Sequence, residues 1–296
     1  MATRRSLLLA GAAGMLQGCS PLALVNGFTP SSTYVSREDI RYGPHPRHAL
    51  DVYRPAHLPD NAPVVVFFYG GNWNSGNRAD YRFAGEALAS KGCVAVLPDY
   101  RLYPEVRYPE FLADSALAVR WVFDNIGAAA FGGDSRNVFL MGHSAGAYNA
   151  AMLALNPAYL RAAGVEARRL RGLIGLAGPY DFLPITGELT KAVFGFPDTP
   201  VTTQPIHFAS MEAPPALLAT GASDDVVNPG NSTRLAARLQ AVGAQARVIV
   251  YPGVGHAPLV GALAAPLRGV RGFGPVLDDV AAFIQSVTSG RTGAKS

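Results

Sequence analysis

The sequence predicts an α/β fold: one open, mostly parallel central sheet with helices on both faces. Two observations carry this. Short, continuous apolar runs bounded by Gly or Pro recur along the chain, separated by longer stretches of helical periodicity. A run that is apolar at every position suits a strand covered on both faces, which is the condition of a strand in a parallel sheet. The composition agrees: of 296 residues, 49% are hydrophobic and 16% charged. That is ample for a large core and excludes a disordered chain.

Taken in order, Ile40–Tyr53, with Leu50-Asp51-Val52-Tyr53 alternating, predicts one or two antiparallel edge strands. Buried strands follow at Val64–Phe68, Val94–Leu97, Val138–Met141, Leu173–Leu176, Leu217–Thr220 and Val248–Tyr251. Helices are predicted over 78–91, 110–125, 145–155, 231–242 and 275–288. The second repeats apolar residues at helical spacing (Phe111, Leu112, Ala118, Trp121, Val122), which makes a buried stripe. Strands alternating with helices at this length fit a single sheet joined by crossovers. The stretch 184–215, rich in Pro, Thr and Gly, is too long for a plain connection and is expected to form a small irregular cap or lid.

Residues 1–18 read as an export leader. Arg4 and Arg5 precede an apolar stretch, Ser6–Leu16, and small residues lead up to Cys19. As a helix the stretch would span ~16 Å against a bilayer core of ~30 Å, so it makes a poor permanent span. Leu16-Gln17-Gly18-Cys19 resembles a bacterial lipobox, in which Cys19 is lipidated and becomes the mature N-terminus. Thr3-Arg4-Arg5-Ser6-Leu7-Leu8 resembles a twin-arginine signal, with ordinary secretion without lipid and a plain basic leader as the alternatives. The expected organisation is leader 1–18, tether 19–36, folded domain 37–290 and disordered tail 291–296. The expected location is outside the cytoplasm, on a lipid-anchored lipoprotein facing the periplasm or the cell exterior.

The formal charge of +4 is diffuse, and no run of five Lys or Arg occurs, so nucleic-acid binding is not supported. Cys19 and Cys93 are too few for a disulfide framework and stand in no zinc-binding spacing. Cys93, within Gly92-Cys93-Val94-Ala95-Val96, reads as a buried apolar residue.

The chemistry is concentrated in four loops. Gly142-His143-Ser144-Ala145-Gly146 lies between a predicted strand and a predicted helix, which is G-x-S-x-G in a strand–turn–helix setting. Such a turn holds Ser144 in strained geometry with its hydroxyl projecting from the sheet edge. The helix beginning at Ala145 aims unpaired N–H groups at the reacting atoms. His143 points away from its neighbour at such a turn and is expected to pack or hydrogen-bond behind the site. Tyr69-Gly70-Gly71-Asn72-Trp73 follows an earlier strand, and its adjacent glycines let backbone N–H groups face developing negative charge. Trp73 is a candidate wall of the substrate pocket or a plain core residue. A serine nucleophile needs a base, and the base needs an acceptor to fix its tautomer. Of six histidines, only His256 follows a late strand. Asp224, three residues after Gly221, is the expected acid; Asp181 is its rival, and Asp225 is expected to be solvated or to cap a helix.

These motifs, with Pro98-Asp99-Tyr100-Arg101-Leu102, resemble the α/β-hydrolases of the esterase/lipase type over roughly residues 37–290. Within them the chain is similar to the group that includes feruloyl-esterase-like proteins, kynurenine formamidases and prenylcysteine methylesterases. It departs from the group's pattern at Tyr69, where histidine is usual. The resemblance implies hydrolysis of a small-molecule carboxylic ester by Ser144, Asp224 and His256 through an acyl-enzyme. The oxyanion would be held by N–H groups of Gly71, Asn72 and Ala145. Asp99 and Arg101 would brace the oxyanion loop, and no metal or organic cofactor is implied. An arylformamidase is the alternative activity, since Gly-Gly-x-Trp occurs there too, and a non-catalytic surface binding protein is the alternative class. The oligomeric state is open.

Overall fold

The computed structural model describes residues 25–290. The leader, Cys19 and the tail 291–296 lie outside the described residues. The sheet has eight strands: β1 (Tyr34–Arg41), β2 (Ala49–Pro55), β3 (Ala62–Phe68), β4 (Val94–Pro98), β5 (Gly133–His143), β6 (Leu170–Leu176), β7 (Ala216–Gly221) and β8 (Ala246–Tyr251). Their spatial order is β1-β2-β4-β3-β5-β6-β7-β8. β1 and β2 pair antiparallel, β2 pairs antiparallel with β4, and every other pair is parallel. This is the α/β-hydrolase fold. The predicted run Val64–Phe68 is wholly buried, whereas β8 at the sheet's edge is partly exposed, which follows from cover on two faces against one open flank.

The helices are α1 (Arg82–Ser90), α2 (Glu110–Asn125), α3 (Ala145–Leu155), α4 (Pro157–Ala162), α5 (Glu188–Phe194), α6 (Gly230–Ala241), α7 (His256–Gly261) and α8 (Val276–Ser289). α2 and α3 keep the bounds expected from periodicity. α4, α5 and α7 were not anticipated, because six or seven residues are too few to show a helical period. α3 is buried along its whole length. Its alanines and glycine let it press against the sheet with little side chain between.

Parallel register sets the strand ends level. Phe68 pairs with Gly142, His143 with Leu176, Leu176 with Ala219, and Gly221 with Tyr251. The loops after β3, β5, β7 and β8 therefore open on one rim, where open α/β sheets bind ligands.

The expected cap at 184–215 is an insertion between β6 and β7, and it is more regular than composition implied. It carries α5 and two 3-10 turns, Val201–Thr203 and Pro205–Phe208. Phe194 packs against the rings of Trp73 (5.0 Å), Phe182 (5.4 Å) and Tyr148 (5.5 Å). The Tyr148 hydroxyl donates to the Thr203 carbonyl at 2.7 Å, so the cap is pinned to α3.

Over its described part, 25–36, the expected tether of 19–36 is corrected. Tyr34–Ser36 belong to β1, and the chain is already held well before that. Asn26 Nδ2 donates to Ala79 O (2.8 Å), Asn26 Oδ1 accepts from Phe83 N (3.1 Å), and Thr33 Oγ1 donates to Glu86 (2.9 Å). Residues 26–33 are a strap along α1. Pro, Ser and Thr content cannot separate a strap from a tether, because the difference lies in partners distant in sequence.

A β-carbon on Gly146 would sit 2.0 Å from Phe68 O and 2.4 Å from Tyr69 O, whereas one on Gly27 would meet nothing within 4 Å. Gly146→Ala is therefore expected to destabilise the fold by ~3 kcal/mol or more, and Gly27→Ala to leave it unchanged. Thermal unfolding of the two proteins side by side measures this.

Candidate active site

β5 ends at His143 and α3 starts at Ala145, so Ser144 makes the whole turn by itself. Its backbone stands at φ 55°, ψ −124°, a conformation costing ~1–3 kcal/mol for a residue with a side chain. The surroundings enforce it: Ser144 N donates to Leu176 O at 2.9 Å, and Ser144 O accepts from Ala147 N (3.0 Å) and Tyr148 N (3.2 Å). A β-carbon on Gly142 would lie 2.3 Å from the Gly146 backbone. Gly142 is therefore demanded by the close approach of Gly146, and Gly146 by that of the Phe68 and Tyr69 carbonyls.

The loop after β3 folds over this turn. A β-carbon on Gly70 would come within 3.0 Å of the Ser144 β-carbon. Gly71, Asn72 and Trp73 all have positive φ (129°, 50° and 58°), and Gly71 O accepts from the N–H groups of Asn74 and Ser75, each at 3.1 Å. Asn72, Trp73, Ser144 and Ala145 line a cavity of ≈ 560 Å³. As the first residue of α3, Ala145 has an N–H with no acceptor inside the helix. Trp73 plays both roles weighed for it. It walls the cavity, and its indole donates to Asn149 Oδ1 at 3.0 Å in the interior.

Tyr69, the departure from the family pattern, is an interior brace. Its ring stacks on Tyr100 at 4.8 Å, its hydroxyl accepts from Arg47 Nη2 at 2.6 Å, and Tyr100 donates back to Tyr69 O at 2.8 Å. Burial pushes the Tyr69 hydroxyl pKa well up, so it stays neutral. Arg47 Nη2 also donates to Gly76 O at 2.9 Å, clamping the far end of the loop. Asp99 acts there too, accepting from Arg78 N at 2.8 Å and pairing with the Arg78 guanidinium. Arg101 acts at one remove: it grips Asp114 of α2 at 2.7 and 2.8 Å. Nearby, Tyr103 N donates to Trp73 O at 2.8 Å.

On the other side of the rim, His256 is the first residue of α7. Its Nδ1 lies 2.8 Å from Asp224 Oδ2. Asp224 Oδ1 accepts from the N–H groups of Val226 (3.0 Å) and Val227 (2.8 Å), so the carboxylate is oriented on both oxygens. Asp225 is exposed. Asp181 is directed elsewhere, paired with Arg234, whose Nη2 donates to Asp181 O at 2.8 Å. The His256 ring stands 4.7 Å from that of His143, the immediate neighbour of Ser144. No hydrogen bond joins the Ser144 hydroxyl to the imidazole. The structure thus brings Asp224 and His256 into contact and sets them beside the serine turn.

His143 lies behind the site as expected. It is buried, and its Nε2 is 3.3 Å from His256 O. Burial, reinforced by neighbouring His256, lowers its pKa to about 3, so it stays neutral.

The family model matching residues 50–239 is BD-FAE. The chain belongs to the BD-FAE family. Among curated relatives, this BD-FAE chain is 32% identical over 272 residues to the isoprenylcysteine alpha-carbonyl methylesterase ICME of Arabidopsis thaliana, covering 84% of this chain and 62% of that protein. It is 30% identical to esterase LipC of Mycobacterium tuberculosis, over 75% of this chain and 60% of the relative. The BD-FAE chain thus spans about three-fifths of the length of these relatives. Among solved structures, esterase B from Lactobacillus rhamnosis superposes with a TM-score of 0.77 at 18% identity, covering 93% of this chain and 92% of that one. A truncated carbohydrate esterase from gut microbiota gives 0.75 at 21%, covering 88% and 99%. At these identities the structural likeness shows the fold.

The expected cap supplies Ile185 to the opposite wall of the BD-FAE cavity, but sequence reasoning missed the rest of that wall: Phe182 and Leu183 just before the cap, and Asn228, Asn231 and Arg234 at the start of α6. Buried Asn231 accepts the N–H groups of Tyr180 (2.9 Å) and Asp181 (2.8 Å) on its Oδ1, fixing the loop after β6. A buried-type asparagine just after Pro229 at a helix start was the available signal.

With a folded pKa of about 3 against 6.5 for the free side chain, His143 is neutral in the native state while its unfolded counterpart is protonated. Between those values the unfolded state binds the extra proton, so stability falls as pH drops, by ~1.4 kcal/mol per pH unit. Denaturant titrations from pH 7 to pH 4 should show this slope, and His143→Gln should remove it.

Proposed function

We propose that this chain is a carboxylesterase-type serine hydrolase in which Ser144 is the nucleophile, His256 the base and Asp224 its orienting acid. The observation that carries the proposal is the 2.8 Å contact between Asp224 and His256 Nδ1, on the rim that also presents the strained Ser144 turn. With Nδ1–H donated to the carboxylate, Nε2 keeps its lone pair for the serine proton. Approach of His256 to Ser144 completes the contact when substrate is bound; such hydrogen bonds tighten in the Michaelis complex.

Ser144 Oγ attacks the acyl carbon as His256 takes its proton. The N–H groups of Gly71, Asn72 and Ala145 stabilise the oxyanion, the last two from residues that line the cavity beside Ser144. Collapse releases the alcohol, protonated by His256, and leaves an acyl-enzyme. Water, deprotonated by the same imidazole, then frees the acid and Ser144. Its relatives, a methylesterase and an esterase, support ester over amide hydrolysis. In the same reading the chain is exported and anchored through lipidated Cys19.

Ser144→Ala should abolish p-nitrophenyl acetate turnover with an unchanged circular dichroism spectrum, and a fluorophosphonate probe should label Ser144 alone. Asp224→Asn should lower kcat by ~10³-fold or more, since the imidazole loses its orienting acceptor. Undiminished turnover in Ser144→Ala overturns the proposal, and faster turnover of N-formylkynurenine than of short esters would reassign it to amide hydrolysis.

A further inference from the structure

The first contacts that the described chain makes with the folded body lie at the rim that carries Ser144. Asn26 is bound to Ala79 O and Phe83 N, at the 3-10 turn Arg78–Tyr81 and the first turn of α1. That turn directly follows the loop whose Asn72 and Trp73 line the cavity. It belongs to the carboxyl end of the sheet, because Arg78 N donates at 2.8 Å to Asp99, the residue after β4.

From there the strap descends along α1, where Thr33 meets Glu86, to the opposite end of the sheet. There β1 begins, with Tyr34 paired to Pro55 at the end of β2. A chain reaching the sheet only to start β1 could arrive at that lower end directly. The strap instead brings it in at the catalytic rim.

We infer that this rim is the membrane-facing surface of the protein, held against the bilayer that takes the lipid on Cys19. The inference rests on the lipid-anchor reading above and commits to a lipid bilayer as partner. Cys19 precedes Val25 by six residues, a reach of at most ~20 Å even fully extended. The strands are themselves ~20 Å long. The rim is therefore the end nearer the anchor, and the opposite end lies at the very limit of that reach.

Exposed apolar side chains at the rim are placed to meet the bilayer. Phe28, two residues beyond Asn26, is 70% exposed; Phe196, after α5 in the cap, is 51% exposed; Val226, in the cavity wall, is 68% exposed. Exposure alone does not decide the matter, because Met211, on the approach to the amino end of β7, is 75% exposed. The point of attachment decides it, and Met211 serves as the control. Esters carried in the leaflet would then lie nearer to Ser144 than those in bulk water.

The test uses the full chain, isolated from bacterial membranes and reconstituted into phosphatidylcholine–phosphatidylglycerol vesicles containing a nitroxide-labelled lipid. Phe28→Cys, Phe196→Cys and Met211→Cys are each labelled with a fluorophore. Cys93 does not compete, since it is buried and its thiol pKa is pushed up to about 12. Intact mass reports the acyl group on Cys19. The expected result is acylated Cys19, loss of fluorescence at positions 28 and 196, and none at 211. Equal loss at all three positions, loss at 211 alone, or an unmodified Cys19 overturns the inference. No readout depends on turnover, so Ser144→Ala should give the same pattern, and failure here leaves the esterase reading standing.

Discussion

The site depends on the backbone of β3 and the backbone of α3 touching without side chains between them. At Gly146 the first atom of any side chain would collide with the carbonyls of Phe68 and Tyr69. That contact fixes the two loops that would share the reacting carbonyl, one carrying Asn72 and the other Ser144 and Ala145. Their mutual distance is set by hard-sphere packing between adjacent parallel strands and does not wait on a hydrogen bond or ion pair. The strained turn at Ser144 persists because β6, through Leu176 O, and the first turn of α3 over-determine it.

Around this contact the protein has built a polar brace of its own. Arg47 ties Tyr69, Tyr100 and Gly76 together, while Arg78 ties together Asp51 and Asp99 beside the end of the same loop. Each guanidinium supplies several donors in a fixed plane, which suits one side chain to several acceptors at once. A tyrosine at position 69 fits this scheme because its ring stacks while its hydroxyl accepts. The stacked rings of Tyr69 and Tyr100 carry the load that a polar residue would otherwise bear.

Much of this was legible in the chain. Continuous apolar runs located the six parallel strands β3 to β8, because five of them are covered on both faces and β8 at the edge still packs on β7. α2 and α3 were bounded correctly because each is long enough to show its period. Asp224 and His256 could be singled out because each follows a strand at the carboxyl rim, and Asp181 is drawn off by Arg234. The strap at 26–33 and most of the far cavity wall were not legible. Thr33–Glu86 and Asn26–Phe83 are pairings across more than fifty residues, and local composition says nothing about such pairings. The role of Tyr69 was equally hidden, since its partner Arg47 is 22 residues away on the other side of β2 and β3.

The two halves of the site differ in how they are supported. Ser144 hangs from β5, flanked on both sides and backed by a fully buried helix. His256 hangs from β8, which pairs with β7 alone and is half open to water. Elements with few buried contacts open locally at lower free energy than the core. The imidazole arm is thus the compliant partner and the serine arm the anvil. The serine is thereby mounted on the sheet's centre and the imidazole on its periphery.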